Sequence, residues 1–150
     1  MTFSPRVPLT FRRAQARTLG RATNLGLRVG TDLSSVSEIQ ASVSQFGLRY
    51  LQRLFTASEL QDCAEQQAWR YASLAARFAA KEAVIKVLQP NKSQAISWTE
   101  IEVRRLSNGA PSLHLHGRAR QLAQAATLRH WSISLSHESD YATAMVVAHP

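Results

Sequence analysis

Hydrophobic and polar positions follow a helical period in the middle of the chain and an alternating period after it. Residues 73–88 (SLAARFAAKEAVIKVL) contain no glycine or proline and are rich in strong helix formers. At 100° per residue, Leu74, Phe78 and Ile85 share one apolar face, as in a helix packed against a sheet. The pattern predicts a central helix over residues 73–88.

The segments before this helix predict one strand and then further helices. Residues 28–33 (RVGTDL) form a short apolar run that indicates a first strand. Apolar residues at helical spacing indicate helices over residues 36–46 and 50–55, on the two sides of Gly47. Thr56 and Glu59 have the spacing of a capping box, which predicts a helix from residue 57 to about 68.

After Pro90 the pattern predicts two pairs of strands with a short helix between them. Residues 96–103 and 112–116 indicate a hairpin around the turn Asn108-Gly109, residues 117–126 a helix, and residues 131–136 and 142–148 two further strands. This segregation of helices and strands predicts an α+β fold with a small, mainly antiparallel sheet. A length of 150 residues with 45% hydrophobic content suits a single domain.

The positive charge is concentrated at the N-terminus. The net charge is +8, and residues 1–28 contain six arginines and no acid, whereas the rest has 12 basic and 10 acidic residues. We therefore expect a basic, flexible extension over residues 1–28 and a folded domain over residues 29–150. The extension could be a transit peptide, a solubilising tail or the product of a misassigned start codon. An arm that binds nucleic acid is a further alternative, although it would leave the acidic residues of the domain unexplained.

The single cysteine and the absence of long apolar runs bear on the compartment. No run of 18 or more apolar residues and no secretory-type apolar segment occurs, so we expect no transmembrane helix. Cys63 alone can form neither an intrachain disulfide nor a cysteine metal cluster. We therefore expect a reducing compartment, the cytoplasm.

Candidate chemistry lies at the ends of two predicted strands and on the central helix. Asp32 lies near the end of the first strand, and His137 follows the strand over residues 131–136. The helix carries four charged side chains: Arg77, Lys81, Glu82 and Lys86. Two carboxylates beside cations suit Mg²⁺ and phosphoryl transfer. The plainer alternatives are a helix-capping Asp32, an ordinary surface pair of Glu82 and Lys86, and a loop histidine.

Six segments of the chain, in the same order and at similar spacing, resemble those of a known family. They are GTDL (30–33), RLFTASEL (53–60), LAARFAAKEAVIK (74–86), ISWTEIEV (96–103), NGAPSLHL (108–115) and SLSHESDYATAMVV (134–147). The family is holo-[acyl-carrier-protein] synthase, the small 4′-phosphopantetheinyl transferases, and the resemblance covers about residues 29–148. It implies the 4′-phosphopantetheinyl transferase fold.

The resemblance also implies an activity and its residues. The reaction would transfer 4′-phosphopantetheine from coenzyme A to a serine of apo acyl carrier protein in fatty acid biosynthesis, releasing adenosine 3′,5′-bisphosphate. Members use Mg²⁺ and form homotrimers whose coenzyme A cleft lies between neighbouring protomers. By position, Asp32 and Glu82 would bind the metal, and Glu82 and Lys86 would be catalytic. Contacts with coenzyme A are implied for Arg77, Lys81, Lys86 and His137.

The chain also departs from the family pattern. Glu38 stands where relatives commonly have an arginine that meets the acidic carrier, so we expect docking to depend on Arg49 and Arg53. Residues 89–93 (QPNKS) replace a glycine-rich loop, and residues 1–28 lie outside the pattern and are expected to be dispensable. A specialised polyketide-type carrier and an inactive homologue remain alternatives. The proton of the carrier serine would pass to Glu82 or to a metal-bound water.

Overall fold

Residues 26–150, which the computed structural model describes, form four α-helices and seven strands. The first half contains β1 (Arg28–Ser35), α1 (Val36–Leu54), α2 (Ala57–Cys63), β2 (Ala64–Glu65), β3 (Ala68–Trp69) and α3 (Tyr71–Leu88). The second half contains a 3-10 turn (Trp98–Glu100), β4 (Ile101–Arg105), β5 (Pro111–Leu115), α4 (Gly117–Ala125), β6 (His130–Glu138) and β7 (Tyr141–His149). The expected α+β fold is confirmed.

The described strands form three antiparallel sheets instead of the one expected. A three-stranded sheet has the order β1-β7-β6, while β2 pairs with β3 and β4 pairs with β5. In the first sheet Asp32 lies opposite Ala144, which lies opposite Leu135. The register therefore places β1 and β6 at the two edges of this sheet, with β7 between them.

Helix α3 packs on one face of the three-stranded sheet, and Gly30 allows β1 to approach it closely. A Cβ atom at Gly30 would collide with the carbonyl oxygen of Ala83 and lie 2.9 Å from Cγ2 of Val87. Because side chains alternate along a strand, Asp32 lies on the same face as Gly30. The close approach therefore directs the Asp32 carboxylate towards α3.

Two element boundaries differ from the sequence-based predictions, and one predicted break is confirmed. The expected helix over residues 57–68 ends at Cys63, because the chain reverses at Gln66 (φ 51°) into the short β2–β3 hairpin. The strand predicted from residue 96 begins at Ile101, because Ser97 and Glu100 form a capping box that starts a 3-10 turn. The break predicted at Gly47 is confirmed as a kink within α1 (φ 66°, ψ −154°).

The predicted extension lies almost entirely outside the described residues, which begin at Gly26. Arg28, where the predicted extension and the predicted first strand overlap, is the first residue of β1, where it lies opposite Ala148 and donates a hydrogen bond to the carbonyl of Val87 (3.0 Å). Within residues 26–150, no helix has both the length and the apolar character needed to cross a bilayer.

The second face of the three-stranded sheet, opposite α3, is open in the described protomer. Four large apolar side chains on this open sheet face are each more than half exposed: Val29, Leu33, Tyr141 and Met145. They lie on β1 and β7, at positions that alternate with the buried ones. An apolar face of this kind is typical of a surface that meets another protein.

Candidate functional site

Asp32 and Lys86 form an ion pair where the face of β1 meets α3. The Lys86 ammonium donates hydrogen bonds to Oδ1 of Asp32 (2.7 Å) and to the carbonyl of Thr31 (2.7 Å). The hydroxyl of Thr143 on β7 donates to the carbonyl of Asp32 (2.9 Å). The lysine side chain is 40% exposed and the aspartate 20%, so both remain accessible to a ligand.

Glu82 lies one helical turn before Lys86 and adds a second carboxylate to this site. It is half-buried, and burial raises its pKa, the charge of Asp32 raises the pKa further, and Lys86 lowers it. Two carboxylates thus share one lysine as their counter-charge. We name Asp32, Glu82 and Lys86 the acidic-lysine site.

The donor set of this site fits a hard divalent cation. Mg²⁺ is usually bound by one or two protein carboxylates together with waters and substrate phosphates. The described residues contain no cluster of three or more histidine, cysteine, aspartate or glutamate side chains that could enclose a metal. Asp32 and Glu82 are therefore suited to a metal that a phosphate ligand also contacts, since a cation there would relieve their mutual repulsion.

A second candidate site, the arginine cleft, lies on another side of α3. Arg77 precedes Lys86 by nine residues, so the two directions differ by about 180° around the helix. The cleft has a volume of about 270 Å³ and is lined by Asp62, Arg70, Ser73, Arg77, Val103, Arg104, Arg105, Gly109, Pro111 and Leu135. Four arginines face only one acid in this lining.

Hydrogen bonds fix the guanidinium groups of the arginine cleft. Arg77 is 7% exposed and donates to Oδ2 of Asp62 (3.2 Å) and to the carbonyl of Val103 (3.4 Å). Arg70 donates through Nη2 to the carbonyl of Asp62, while its buried Nε has no partner. The excess of positive charge and the unused donor suit a phosphate group.

The described protomer does not bring all the expected site residues together. Asp32, Glu82 and Lys86 are close to one another, as expected. His137 is exposed near the end of β6, and across the sheet it aligns with Ala142 and then Ser34. It therefore lies at the opposite edge from β1, roughly 10 Å away at two strand spacings.

Lys81 does not fit the contact with coenzyme A that was expected. Its side chain and that of Glu59 are both 0% exposed, and the ammonium donates to Oε2 of Glu59 (2.9 Å). It also donates to the carbonyls of Trp98 (2.9 Å) and Ile101. These acceptors occupy its three N–H groups, so Lys81 ties α3 to α2 and to β4 instead of reaching a ligand.

The two arginines that were expected to dock the carrier lie on the surface. The arginine cleft also contains residues that the sequence did not indicate. Arg49 and Arg53 are exposed on α1, one helical turn apart. Sequence reasoning missed Arg70, Arg104 and Arg105 as members of the arginine cleft. The consecutive arginines at the end of β4 were the only available signal, because Asp62 meets them through the fold.

The chain and its fold have relatives among known proteins. The family profile "ACPS: 4'-phosphopantetheinyl transferase superfamily" matches residues 28–146. The holo-[acyl-carrier-protein] synthase of Dehalococcoides mccartyi strain CBDB1 is 50% identical over 122 residues, covering 81% of this chain and 98% of that protein. That of Herpetosiphon aurantiacus is 42% identical over 127 residues, covering 81% and 97%.

Solved structures of holo-[acyl-carrier-protein] synthases are also similar to this chain. The Helicobacter pylori holo-[acyl-carrier-protein] synthase in complex with coenzyme A has a TM-score of 0.70 at 28% identity, covering 81% of this chain and 99% of that one. The enzyme from Neisseria meningitidis has a TM-score of 0.71 at 30% identity, covering 81% and 97%. These similarities define the class of protein as an enzyme, a 4′-phosphopantetheinyl transferase. Within this class, the chain belongs to the holo-[acyl-carrier-protein] synthase family.

Proposed function

We propose that this protein transfers 4′-phosphopantetheine from coenzyme A to a serine of apo acyl carrier protein and releases adenosine 3′,5′-bisphosphate. The observation that carries the proposal is the acidic-lysine site, where Lys86 lies 2.7 Å from Asp32 and beside Glu82. The relatives above are named for this reaction, and one is solved with coenzyme A.

Asp32 and Glu82 would hold a Mg²⁺ ion, which would supply charge neutralisation at the diphosphate of coenzyme A. Lys86 would donate to a non-bridging diphosphate oxygen and offset the charge that develops as the transferred group leaves. Its own hydrogen bonds to Asp32 and Thr31 hold the ammonium in position before substrate binds. These residues would therefore position and stabilise charge, which is most of what phosphoryl transfer requires.

The transfer forms one P–O bond and breaks another. The serine oxygen of the carrier attacks the phosphorus attached to pantetheine, and the bond from this phosphorus to the leaving phosphate of adenosine 3′,5′-bisphosphate breaks. The serine proton passes to Glu82 or to a water. Burial and the charge of Asp32 raise the pKa of Glu82 as long as no cation is bound.

The arginine cleft would bind the nucleotide end of coenzyme A in a neighbouring copy of the chain. Arg77 points about 180° away from Lys86 around α3, and His137 lies at the sheet edge opposite Asp32. One coenzyme A molecule reaches both groups most directly if each comes from a different protomer. We therefore propose a homotrimer with active sites between protomers, and the open sheet face supplies the apolar surface for its interfaces.

A mixing experiment tests this division of the site. Arg77→Ala and Lys86→Ala are each expected to be nearly inactive, but mixed trimers would contain intact sites at about a quarter of their interfaces. Unfolding and refolding the two variants together should therefore restore about a quarter of the activity. Lys86→Ala mixed with Asp32→Ala is the control, since both remove the same half. Equal recovery in both mixtures, or none in the first despite trimer formation, contradicts the division.

The carrier would dock on α1. Arg49 and Arg53 project from one side of this helix, where neither guanidinium has an ion-pair partner within residues 26–150. Phe46 and Leu48 beside them are 46% and 54% exposed. We propose that this surface receives an acidic carrier of the fatty-acid type in the cytoplasm, with a polyketide-type carrier as the alternative. Charge reversal at both arginines should raise the KM for the carrier and leave the KM for coenzyme A unchanged; an unchanged carrier KM would refute the docking site.

The reaction itself is tested by intact-mass spectrometry of the carrier. The purified protein, apo acyl carrier protein, coenzyme A and Mg²⁺ should yield carrier that is heavier by one phosphopantetheine group. Asp32→Asn, Glu82→Gln and chelation of the metal should each abolish this gain, whereas Glu65→Gln, at an exposed acid, should not. Transfer by wild type that survives both site substitutions would refute the assignment of the metal ligands.

A further inference from the structure

A second sizeable cleft, the α4 cleft, lies where β5, α4 and the start of β6 meet. Its volume is about 440 Å³ and it is lined by Leu113, Leu115, Arg120, Ala123, Gln124, Thr127, Leu128, Arg129 and Trp131. The β4–β5 pair and the β1-β7-β6 sheet are not hydrogen-bonded to each other. The cleft therefore occupies the gap where these two sheets separate, and its volume lies within the range of small-molecule sites, about 300–1,000 Å³.

The α4 cleft has an apolar floor. Leu128 is only 4% exposed, and Leu113, Leu115 and Trp131 are partly buried against the main core. A short aliphatic chain lying on these side chains would remove apolar surface from water, which favours binding.

The rim of the same cleft is positively charged. Arg120 and Arg129 are exposed, and the lining contains no acidic residue. Within residues 26–150 neither guanidinium forms a hydrogen bond or an ion pair, in contrast to Arg77, which is bound to Asp62. Two unpaired guanidinium groups above an apolar floor are complementary to a ligand with a carboxylate at one end and a hydrocarbon chain at the other.

The turn after α4 positions the residues of this rim. Thr127 has a φ of 58°, a left-handed conformation that a β-branched residue rarely adopts. The residue follows the C-cap residue Ala126, and the N–H groups of Thr127 and Leu128 donate to the carbonyls of Gln124 and Ala123 (both 2.9 Å). This left-handed ending of α4 sets the direction of the turn that leads to Leu128 and Arg129.

The α4 cleft is separate from both sites described above. Trp131 aligns across the sheet with Ala148 and Arg28, whereas Asp32 is four residues further along β1. This offset is roughly 13 Å along the strand. The lining also shares no residue with the arginine cleft. A ligand in the α4 cleft would therefore occupy neither half of the proposed transferase site.

We propose that the α4 cleft binds a small amphipathic carboxylate, with its head held by Arg120 and Arg129 and its aliphatic chain lying on Leu113, Leu115 and Trp131. The planar guanidinium fork matches a carboxylate in two parallel hydrogen bonds. The site thereby gives the protein a binding function that is independent of phosphopantetheine transfer.

Isothermal titration of the full chain with octanoate tests this proposal, with acetate and octanol as probes of the head and the chain alone. Octanoate should bind saturably at millimolar concentration, with much weaker binding of either control, and should change the fluorescence of wild type but not of Trp131→Phe. Arg120→Glu and Arg129→Glu should each weaken binding by about tenfold, because charge reversal removes a charged hydrogen-bond donor.

Arg118→Glu is the matched control, because Arg118 is exposed on the same helix as Arg120 but does not line the cleft. It should bind octanoate as wild type does, and circular dichroism should show that every variant is folded. Three outcomes would overturn the proposal: no saturable binding of octanoate, an equal loss of affinity in Arg118→Glu, or displacement of octanoate by coenzyme A.

Discussion

The buried pair of Glu59 and Lys81 allows a sharp test of what Lys81 does. The change is Lys81→Met, which keeps an unbranched side chain of similar length and removes the ammonium. Both partners are 0% exposed and 2.9 Å apart, so the substitution leaves a carboxylate in the core without its cation. Glu59 would keep only the backbone N–H donors of Thr56 (2.9 Å) and Val103 (3.0 Å).

The expected loss of stability follows from this geometry. Breaking a buried ion pair by removing one partner costs about 3–5 kcal/mol, a large fraction of the 5–15 kcal/mol that stabilises an ordinary domain. The ammonium also lies 5.5 Å from the centre of the Phe55 ring, which adds a smaller favourable interaction. Glu59→Gln combined with Lys81→Met should recover part of the loss, because no unpaired charge is then buried.

Urea unfolding, followed by tryptophan fluorescence at fixed protein concentration, measures this loss. Lys86→Met is the matched control: the same residue type on the same helix, but 40% exposed and paired at the surface, where the loss should stay below about 1 kcal/mol. For catalysis, the larger effect is expected at Lys86. Lys86→Met should lower kcat, whereas folded Lys81→Met should retain the KM for coenzyme A. If Lys81→Met were as stable as Lys86→Met and raised that KM, the assignment of Lys81 to the fold would be refuted.

Three further predictions concern the approach of β1 to α3, the thiol and acid stability. Gly30→Ala should destabilise the protein by about 1–3 kcal/mol, because its Cβ meets the Ala83 carbonyl; urea unfolding should show Thr31→Ala, at an exposed neighbour, within about 0.5 kcal/mol of wild type. Burial raises the pKa of Cys63 to about 11, so a thiol reagent at pH 8 should label it only after unfolding, and rapid labelling of native protein would contradict this. Burial alone would raise the pKa of Glu102, but hydrogen bonds from Arg104, His116 and Thr56 outweigh it and lower the pKa from 4.5 to about 2. This lowered pKa stabilises the folded state by up to about 3 kcal/mol above pH 4.5, and the stabilisation is lost as the pH falls towards 2. Glu102→Gln should flatten this part of the plot of unfolding free energy against pH. An unchanged plot would refute the effect.

The parts of the fold that the sequence predicted are those with local causes. The helix over residues 73–88 follows from composition and period, and the break at Gly47 from a residue that tolerates a φ of 66°. The start of α2 follows from the capping box of Thr56 and Glu59. The predicted end of α2 was wrong, because residues 64–68 contain no helix breaker. The reversal of the chain at Gln66 depends on the packing of the β2–β3 hairpin.

The acidic-lysine site was predicted as a set only through the family resemblance. The helical period places Glu82 and Lys86 one turn apart on α3, but the contact of Lys86 with Asp32 joins residues 54 positions apart and depends on the approach of β1 to α3. The arginine cleft was not predictable, because its members come from three segments that only the fold brings together. Asp62, for example, accepts hydrogen bonds from Arg77 and from the backbone N–H of Arg105, which is 43 residues away.

The adjacent residues Lys81 and Glu82 show why a motif has to be divided by helix face before roles are assigned. Neighbours on a helix point about 100° apart, so Glu82 faces β1 and Asp32 while Lys81 enters the core towards Glu59. Lys81 therefore holds α2 and β4 against α3, and β4 supplies one wall of the arginine cleft. Lys81 would thus stabilise the packing of three elements without touching a ligand, and its place beside Glu82 is a consequence of chain order alone.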